Sequence, residues 1–385
     1  MEHLINQKVY NIEISGIRKF YNMVADMKDM ISLTIGQPDF PTPLHIKEAA
    51  KKAIDENFTS YTHNAGDIRL RQAAAQFVKE KYHLSYQPES EIIVTTGASE
   101  AIDISFRTIL EEGTEVILPG PVYPGYEPII RLCGATPIYA DTRENHFRLT
   151  AEIIEKYIST KTRCIVIPYP SNPTGVSLTA EELQKIAELV KGRDIFILAD
   201  EIYSELLFND KHVSIASFIK EQTIVINGLS KSHSMTGWRI GIIFAPENIT
   251  RHMIKVHQYN VTCASSISQM AALEALTNGT DDAIPMRQEY LERREYVYNR
   301  LVEMKLEVVK PDGAFYFFVK IPPLGVNSFD FCVRLAKEAK VAVIPGSAFS
   351  DLGEGYFRLS FAYSMDTLKE GLDRIEAFLS EILVV

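Results

Sequence analysis

Six short runs constrain this chain more than anything else in it: EIIVTT (91–96), EVILP (115–119), TPIYA (136–140), CIVIP (164–168), IFILAD (195–200) and TIVIN (223–227). Each is nearly continuous in apolar residues, where a half-exposed strand would alternate with polar ones. Each therefore predicts a strand covered on both faces. Helical patterns separate the runs. TAEELQKIAELVKG (179–192) has a capping-box start, an amphipathic body and a glycine stop. Such alternation implies an α/β fold with a mostly parallel central sheet flanked by helices.

The last third changes character. A long charged helical pattern over about 281–304 leads to GAFYFFVKI (313–321), a helical pattern near 328–340, VAVIPG (341–346), YFRLSFA (356–362) and a final helix from Met365. That reads as a smaller α+β unit, with the segment before Phe40 packed on it. The expected division is a large domain of residues 41–285 and a small domain of residues 1–40 and 286–385. A chain of 385 residues that is 46% hydrophobic can fill two cores.

Several classes are disfavoured. A formal net charge of −10 argues against binding a phosphate backbone. The start, MEHLINQKVYNIEISG, lacks the basic and apolar regions of a secretory signal. No apolar stretch reaches membrane-spanning length. The four cysteines, Cys133, Cys164, Cys263 and Cys332, form no CxxC pair. They predict reduced, buried thiols in a cytoplasmic protein and no metal or redox motif.

Ligands of an open parallel sheet bind beyond the carboxyl ends of its strands, and that is where this sequence places its polar residues. EIIVTT runs into GASEAID (97–103), where a small-residue turn opens a helix. Backbone N–H groups at Gly97, Ala98 and Ser99, with the Ser99 hydroxyl, suit a phosphate; the same residues also make an ordinary helix start. CIVIP ends in YPSNPTG (169–175), a strong turn whose Asn172 is an amide at the ligand edge. IFILAD ends at Asp200, a carboxylate that needs a partner, whether a pyridinium N–H or the following turn. Tyr203 could reach the same ligand.

TIVIN leads to Ser230 and Lys231 within NGLSKSHSMTGWRIG (227–241). Lys231 is either a surface lysine or a Schiff-base amine whose pKa is lowered. Arg239 is either a sheet-edge ion-pair partner or a planar fork for a phosphate dianion. Arg358 sits in an otherwise apolar run and must find an anion, in a salt bridge or on a substrate.

Each motif alone is ambiguous, but their order is not. GAS, the tyrosine of GPVYPGY, SNPTG, DEIY, SK…TGWRIG and FRLSF follow one another as in the class I/II aminotransferases of fold type I, which use pyridoxal 5′-phosphate (PLP). The chain resembles that family over essentially its whole length, including SGIRKF and LTIGQPDFPTP near the start. The resemblance implies that Lys231 holds PLP and then shuttles the proton between Cα and C4′. Asp200 would pair with the pyridine nitrogen, Asn172 and Tyr203 with O3′, and Tyr123 would stack on the ring. Gly97, Ala98, Ser99, Ser230 and Arg239 would bind the phosphate. Tyr61, in TSYTHNAG, would reach the phosphate of the neighbouring subunit of a homodimer. Arg358 would clamp the substrate carboxylate, aided by Asn172 and the backbone at Gly36. A cis bond before Pro173 is implied too, as is closure of the small domain on substrate. Two positions depart from the family: Gly228, where some relatives carry serine, and Arg69, where an acid is common.

Within the family, GLSKSHSMTGWRIG and VHQYNVTCASSISQ (256–269) are most similar to the N-acetyl-LL-diaminopimelate aminotransferases of Gram-positive bacteria, which serve lysine biosynthesis with 2-oxoglutarate and glutamate as the other pair. A distal carboxylate then needs a second cation, and Arg18, Lys19 and His233 are the candidates by position. Aspartate or aromatic amino acid aminotransferases and a PLP C–S lyase of the same fold would share the cofactor residues. A PLP-sensing regulator would need a DNA-binding module ahead of this domain, for which the start leaves no room.

Overall fold

A computed structural model describes residues 1–24, 27–208 and 211–382 of the chain. Its strands, in chain order, are β1 (Ile31–Ser32), β2 (Ile92–Thr95), β3 (Glu115–Gly120), β4 (Thr136–Asp141), β5 (Thr162–Ile167), β6 (Phe196–Asp200), β7 (Thr223–Gly228), β8 (Gly241–Phe244), β9 (Tyr316–Lys320), β10 (Val341–Ala342), β11 (Ile344–Pro345) and β12 (Tyr356–Ser360). The six apolar runs are six neighbours or near-neighbours in one seven-stranded sheet of order β2-β8-β7-β6-β5-β3-β4. All pairs are parallel except those of β8, which runs against both β2 and β7.

The continuous apolarity of these strands has a direct structural cause. Along β5, Cys164 and Val166 enter one hydrophobic cluster while Ile165 and Ile167 enter the other. One cluster is closed by Ala101, Ile102, Ile104 and Phe106 of the helix Gly97–Ile109. The other takes Leu183, Ile186, Ala187 and Val190 from the helix Ala180–Val190. That helix starts as its sequence predicts: Glu182 N–H donates to Thr179 Oγ1, and Thr179 N–H donates to Glu182 Oε2. Among the described residues, no helix is long and apolar enough to cross a membrane.

In the last third, β11, β12 and β9 form a separate antiparallel sheet. The N-terminal segment packs there: β1 pairs with β10, and Ser360 N–H donates to Leu33 O at 2.9 Å. VAVIPG holds two short strands: β10 pairs with β1 and β11 with β12. The four cysteines are free; Cys164 and Cys332 are buried, whereas Cys133 and Cys263 are only partly so.

Candidate active site

The carboxyl ends of β5, β6 and β7, the start of the helix Gly97–Ile109 and the segment 34–37 enclose a cavity of about 430 Å³. Asp200 closes β6. Leu198, two residues earlier, points into the cluster that contains Tyr126, and strand parity sends Asp200 to the same face. The Tyr126 hydroxyl donates to Asp200 Oδ2 at 2.6 Å, and Ile202 N–H approaches Oδ1 at 3.3 Å. Burial raises the carboxyl pKa; the Tyr126 hydrogen bond opposes that rise by favouring the ionised form.

Lys231 follows β7 by three residues and reaches the cavity, where Nζ donates to Gly36 O at 2.6 Å. Its pKa is lowered to about 8, first by burial and then by Arg358 and Arg239, with Asp200 pulling the other way. A solvated surface lysine would show none of this. Arg239 has a left-handed backbone, φ 56°, and donates from Nη1 to Thr236 O at 3.0 Å. Its guanidinium lies against Gly97, which has φ 81°; a Cβ there would overlap it. Glycine at 97 is thus required both by backbone conformation and by the close approach of the arginine. Ala98, Ser99 and Ser230 line the same end of the cavity.

Asn172 and Arg358 meet from opposite sides. Arg358, 2% exposed, donates from Nη1 to Asn172 Oδ1 at 2.9 Å and from Nη2 to Thr34 O at 2.6 Å. Its guanidinium stacks over Tyr316 at 4.4 Å and Phe349 at 5.0 Å. Nε has no partner, and no carboxylate among the described residues pairs with the group. The salt-bridge alternative for Arg358 therefore fails, and a buried cation faces a cavity with donor capacity to spare. The bond before Pro173 is cis, as are those before Pro121 and Pro170. Tyr203 shares a hydrogen bond of 2.9 Å with the Tyr316 hydroxyl. Gly36 and Tyr123 also line the cavity.

Three sequence candidates lie elsewhere. Tyr61 is 83% exposed and does not line the cavity. His233 is buried away from it: Nε2 donates to Gly279 O at 2.8 Å, and Nδ1 accepts from the Ser232 hydroxyl at 2.7 Å. A carbonyl can only accept, which fixes that tautomer. His233 thus drops out as a contact for the substrate's far end. Lys19 is held by Glu13 at 2.6 Å. The departures from the family pattern also acquire reasons. A Cβ at Gly228 would stand 2.8 Å from Ile240 O, so a serine there has no room. Arg69 is a surface residue bonded to Asp67 at 2.7 Å.

Residues 28–375 match the family model described as aminotransferase class I and II. The chain belongs to this family. It is 65% identical over 98% of its length, and 96% of the other's, to a Bacillus subtilis protein named "Probable N-acetyl-LL-diaminopimelate aminotransferase". It is 43% identical to an aspartate aminotransferase of Pyrococcus abyssi, covering 95% and 96% of the two chains. Its fold matches the crystal structure of an aromatic aminotransferase from Pyrococcus horikoshii with a TM-score of 0.90 at 41% identity, covering 96% and 100%.

The chain is accordingly a PLP-dependent aminotransferase. Its residues fit that cofactor. Gly97 leaves room for the Arg239 guanidinium beside a helix start whose first N–H groups lack partners within the helix, which makes an anion site. The buried Asp200 suits a protonated ring nitrogen, and the depressed pKa of Lys231 suits an amine that must attack a carbonyl. Tyr126 and Tyr316 complete the site, yet no motif singles them out in the sequence. For Tyr126 the available signal is its spacing of three from Tyr123 in GPVYPGY. Tyr316 has none beyond its place in an aromatic run.

Proposed function

We propose that this aminotransferase moves the amino group of N-acetyl-LL-diaminopimelate to 2-oxoglutarate, reversibly, with glutamate as the other amino acid, in lysine biosynthesis. The observation that carries the substrate is the 65% identity to the Bacillus subtilis protein, against 43% to the aspartate aminotransferase. The setting is a cytoplasmic homodimer, each chain with a large domain of residues 41–285 and a small domain of residues 1–40 and 286–385.

PLP, when bound, supplies the sink for the electron pair left at Cα when its proton departs. The chain's residues do the rest. Lys231 would be the attachment point, and its amine, once freed, would take up and return the proton of the substrate's reacting carbon at Nζ. Asp200 would hold a proton on the ring nitrogen. Asn172, Tyr203 and Tyr123 would hold the cofactor's ring, the first two through hydrogen bonds to O3′ and the third by stacking. Gly97, Ala98, Ser99, Ser230 and Arg239 would hold the phosphate, together with Tyr61 of the neighbouring subunit. Arg358 grips the α-carboxylate through its planar fork, oriented by Asn172 and the backbone at Gly36. Because Arg358 and Lys231 belong to different domains, closure would bring substrate and base together and exclude water.

The test is the absorption spectrum of the purified protein before and after adding amino donors. The PLP band should convert to the pyridoxamine form with glutamate and with N-acetyl-LL-diaminopimelate, and not with aspartate or phenylalanine. Conversion with aspartate instead would reassign the substrate.

A further inference from the structure

The cavity does not end at Gly36. Past Ile17, Ile35 and Tyr123 it opens into a groove of about 1490 Å³. One wall is the N-terminal segment 11–19; the other is formed by residues 123–131 with Pro137 and Tyr139, and the turn 347–352 lies between them. The walls are largely apolar, with Ile12, Ile14, Pro124, Pro128 and Leu352 among them. Gly16 allows this arrangement. A Cβ there would stand 3.0 Å from Ala348 Cβ, so the first turn of the helix Gly16–Val24 rests directly on the 346–348 turn. Ile17 then borders both cavity and groove, and Arg18 borders the groove.

Three cations line this groove: Arg18, Lys19 and Arg131. Lys19 is neutralised by Glu13 at 2.6 Å, and Arg131 by Glu127 at 2.7 Å. Arg18 pairs with no acid among the described residues. Of the three candidates the sequence offers for a distal carboxylate, His233 is buried and satisfied, Lys19 is occupied, and Arg18 alone keeps its fork available at the mouth of the site.

We propose that the groove is the subsite for the far end of an extended amino acid, and that Arg18 is the specificity-determining residue that meets a second carboxylate there. This rests on the substrate reading above. With the α-carboxylate at Arg358 and the amino group at Lys231, a long side chain leaves past Ile17 and Tyr123. Its methylenes and acyl methyl then lie along apolar walls while its carboxylate reaches the helix that carries Arg18. A short donor leaves the groove empty and is indifferent to Arg18.

The experiment compares two donors that differ in one group. N-acetyl-LL-diaminopimelate is ε-N-acetyl-lysine with a second carboxylate. Steady-state kinetics are measured for both donors on the wild-type holoenzyme, Arg18→Met and Lys19→Met. Binding of both is measured by calorimetry on PLP-loaded Lys231→Ala, with and without Arg18→Met. The wild type should prefer the dicarboxylate by at least about tenfold in kcat/KM, a reasonable yield for one charge-assisted fork. Arg18→Met should lose that preference through KM, leave turnover of ε-N-acetyl-lysine unchanged, and weaken dicarboxylate binding by the same factor. Lys19→Met, which removes the same charge, should keep the preference. Retention of the preference in Arg18→Met, or equal loss in Lys19→Met, overturns the assignment while the substrate reading stands. A wild type that shows the PLP band but does not turn over N-acetyl-LL-diaminopimelate overturns the substrate reading and the subsite with it.

Discussion

The seven-stranded sheet presents Asp200, Asn172 and Lys231 at or beyond the ends of β6, β5 and β7, whereas the three-stranded sheet presents Arg358 from the middle of β12. The two placements are anchored differently. Beyond a strand end the backbone is free to turn, and local bonds must hold the residue. The Lys231 turn is held by His233 N–H to Leu229 O at 3.1 Å and by the His233 side chain on Gly279 O. In mid-strand, register does the holding: Arg358 lies opposite Ile344 on one side and Phe318 on the other. A strand-end residue can therefore be altered for its chemistry alone. A mid-strand cation, fully desolvated, couples chemistry to the packing around it.

The sharpest break of this comparison is Lys231→Ala. With the roles proposed for Lys231, the substitution removes both attachment point and base and should lower turnover by at least about 10³-fold. The melting temperature of the apoprotein should stay within a few degrees of wild type, because Lys231 belongs to neither hydrophobic cluster. Normal turnover, or an unfolded protein, would contradict the strand-end account.

Arg358→Lys comes next. The charge stays, but the ammonium cannot bond Asn172 Oδ1, Thr34 O and a carboxylate with the geometry of a planar fork. KM should rise about 100-fold for every amino donor, long or short, because all share the α-carboxylate. Steady-state kinetics with two unrelated donors check this, and an effect confined to one donor would mean Arg358 reads side chains instead. Arg358→Met should in addition raise the pKa of Lys231, since Arg358 is the cation that depresses it most.

The same contrast explains what could be read in the sequence. Strand runs and strand-end motifs are local, so the six parallel strands and Asp200, Asn172 and Lys231 were all legible. β8 was not: its GIIF is four residues long, and its antiparallel direction between β2 and β7 is a fact of topology. The division of VAVIPG into two strands was not legible either, because the change of partner at Val343 leaves no mark on the residue types. Arg358 was legible as a buried cation, but choosing between salt bridge and substrate required knowing that no acid among the described residues pairs with it. Tyr126 and Tyr316 gain their meaning only from pairings across 74 and 113 residues of chain.

A smaller effect concerns pH. With Lys231 depressed to about 8, only about one lysine in ten is neutral at pH 7 and most are neutral at pH 9. A neutral amine is the form that attacks an aldehyde. The rate at which apoenzyme takes up PLP, followed by absorbance, should rise about tenfold between those values and level off above them. A rate still climbing steeply above pH 9 would mean the lysine keeps its ordinary basicity.

The smallest expected change is at Tyr126, and it tests whether Asp200 depends on its neighbour as well as on its strand. Asp200 is buried, which favours its neutral form, and the Tyr126 hydroxyl bond favours the carboxylate. Tyr126→Phe keeps the ring and its edge-on contact with Tyr123 at 5.6 Å, but removes that donor. The pKa of Asp200 should then rise further. An acid with a raised pKa loses its charge sooner as pH falls, so the acid limb of the kcat profile should move to higher pH. At neutral pH, one hydrogen bond's worth of stabilisation amounts to about a two- to tenfold loss in kcat, with KM little changed because Tyr126 does not touch the α-carboxylate. A pH–rate profile of Tyr126→Phe beside wild type reads both. An unshifted acid limb would mean that Asp200 is kept ionised by the ring nitrogen alone, and that the hydroxyl serves packing rather than charge.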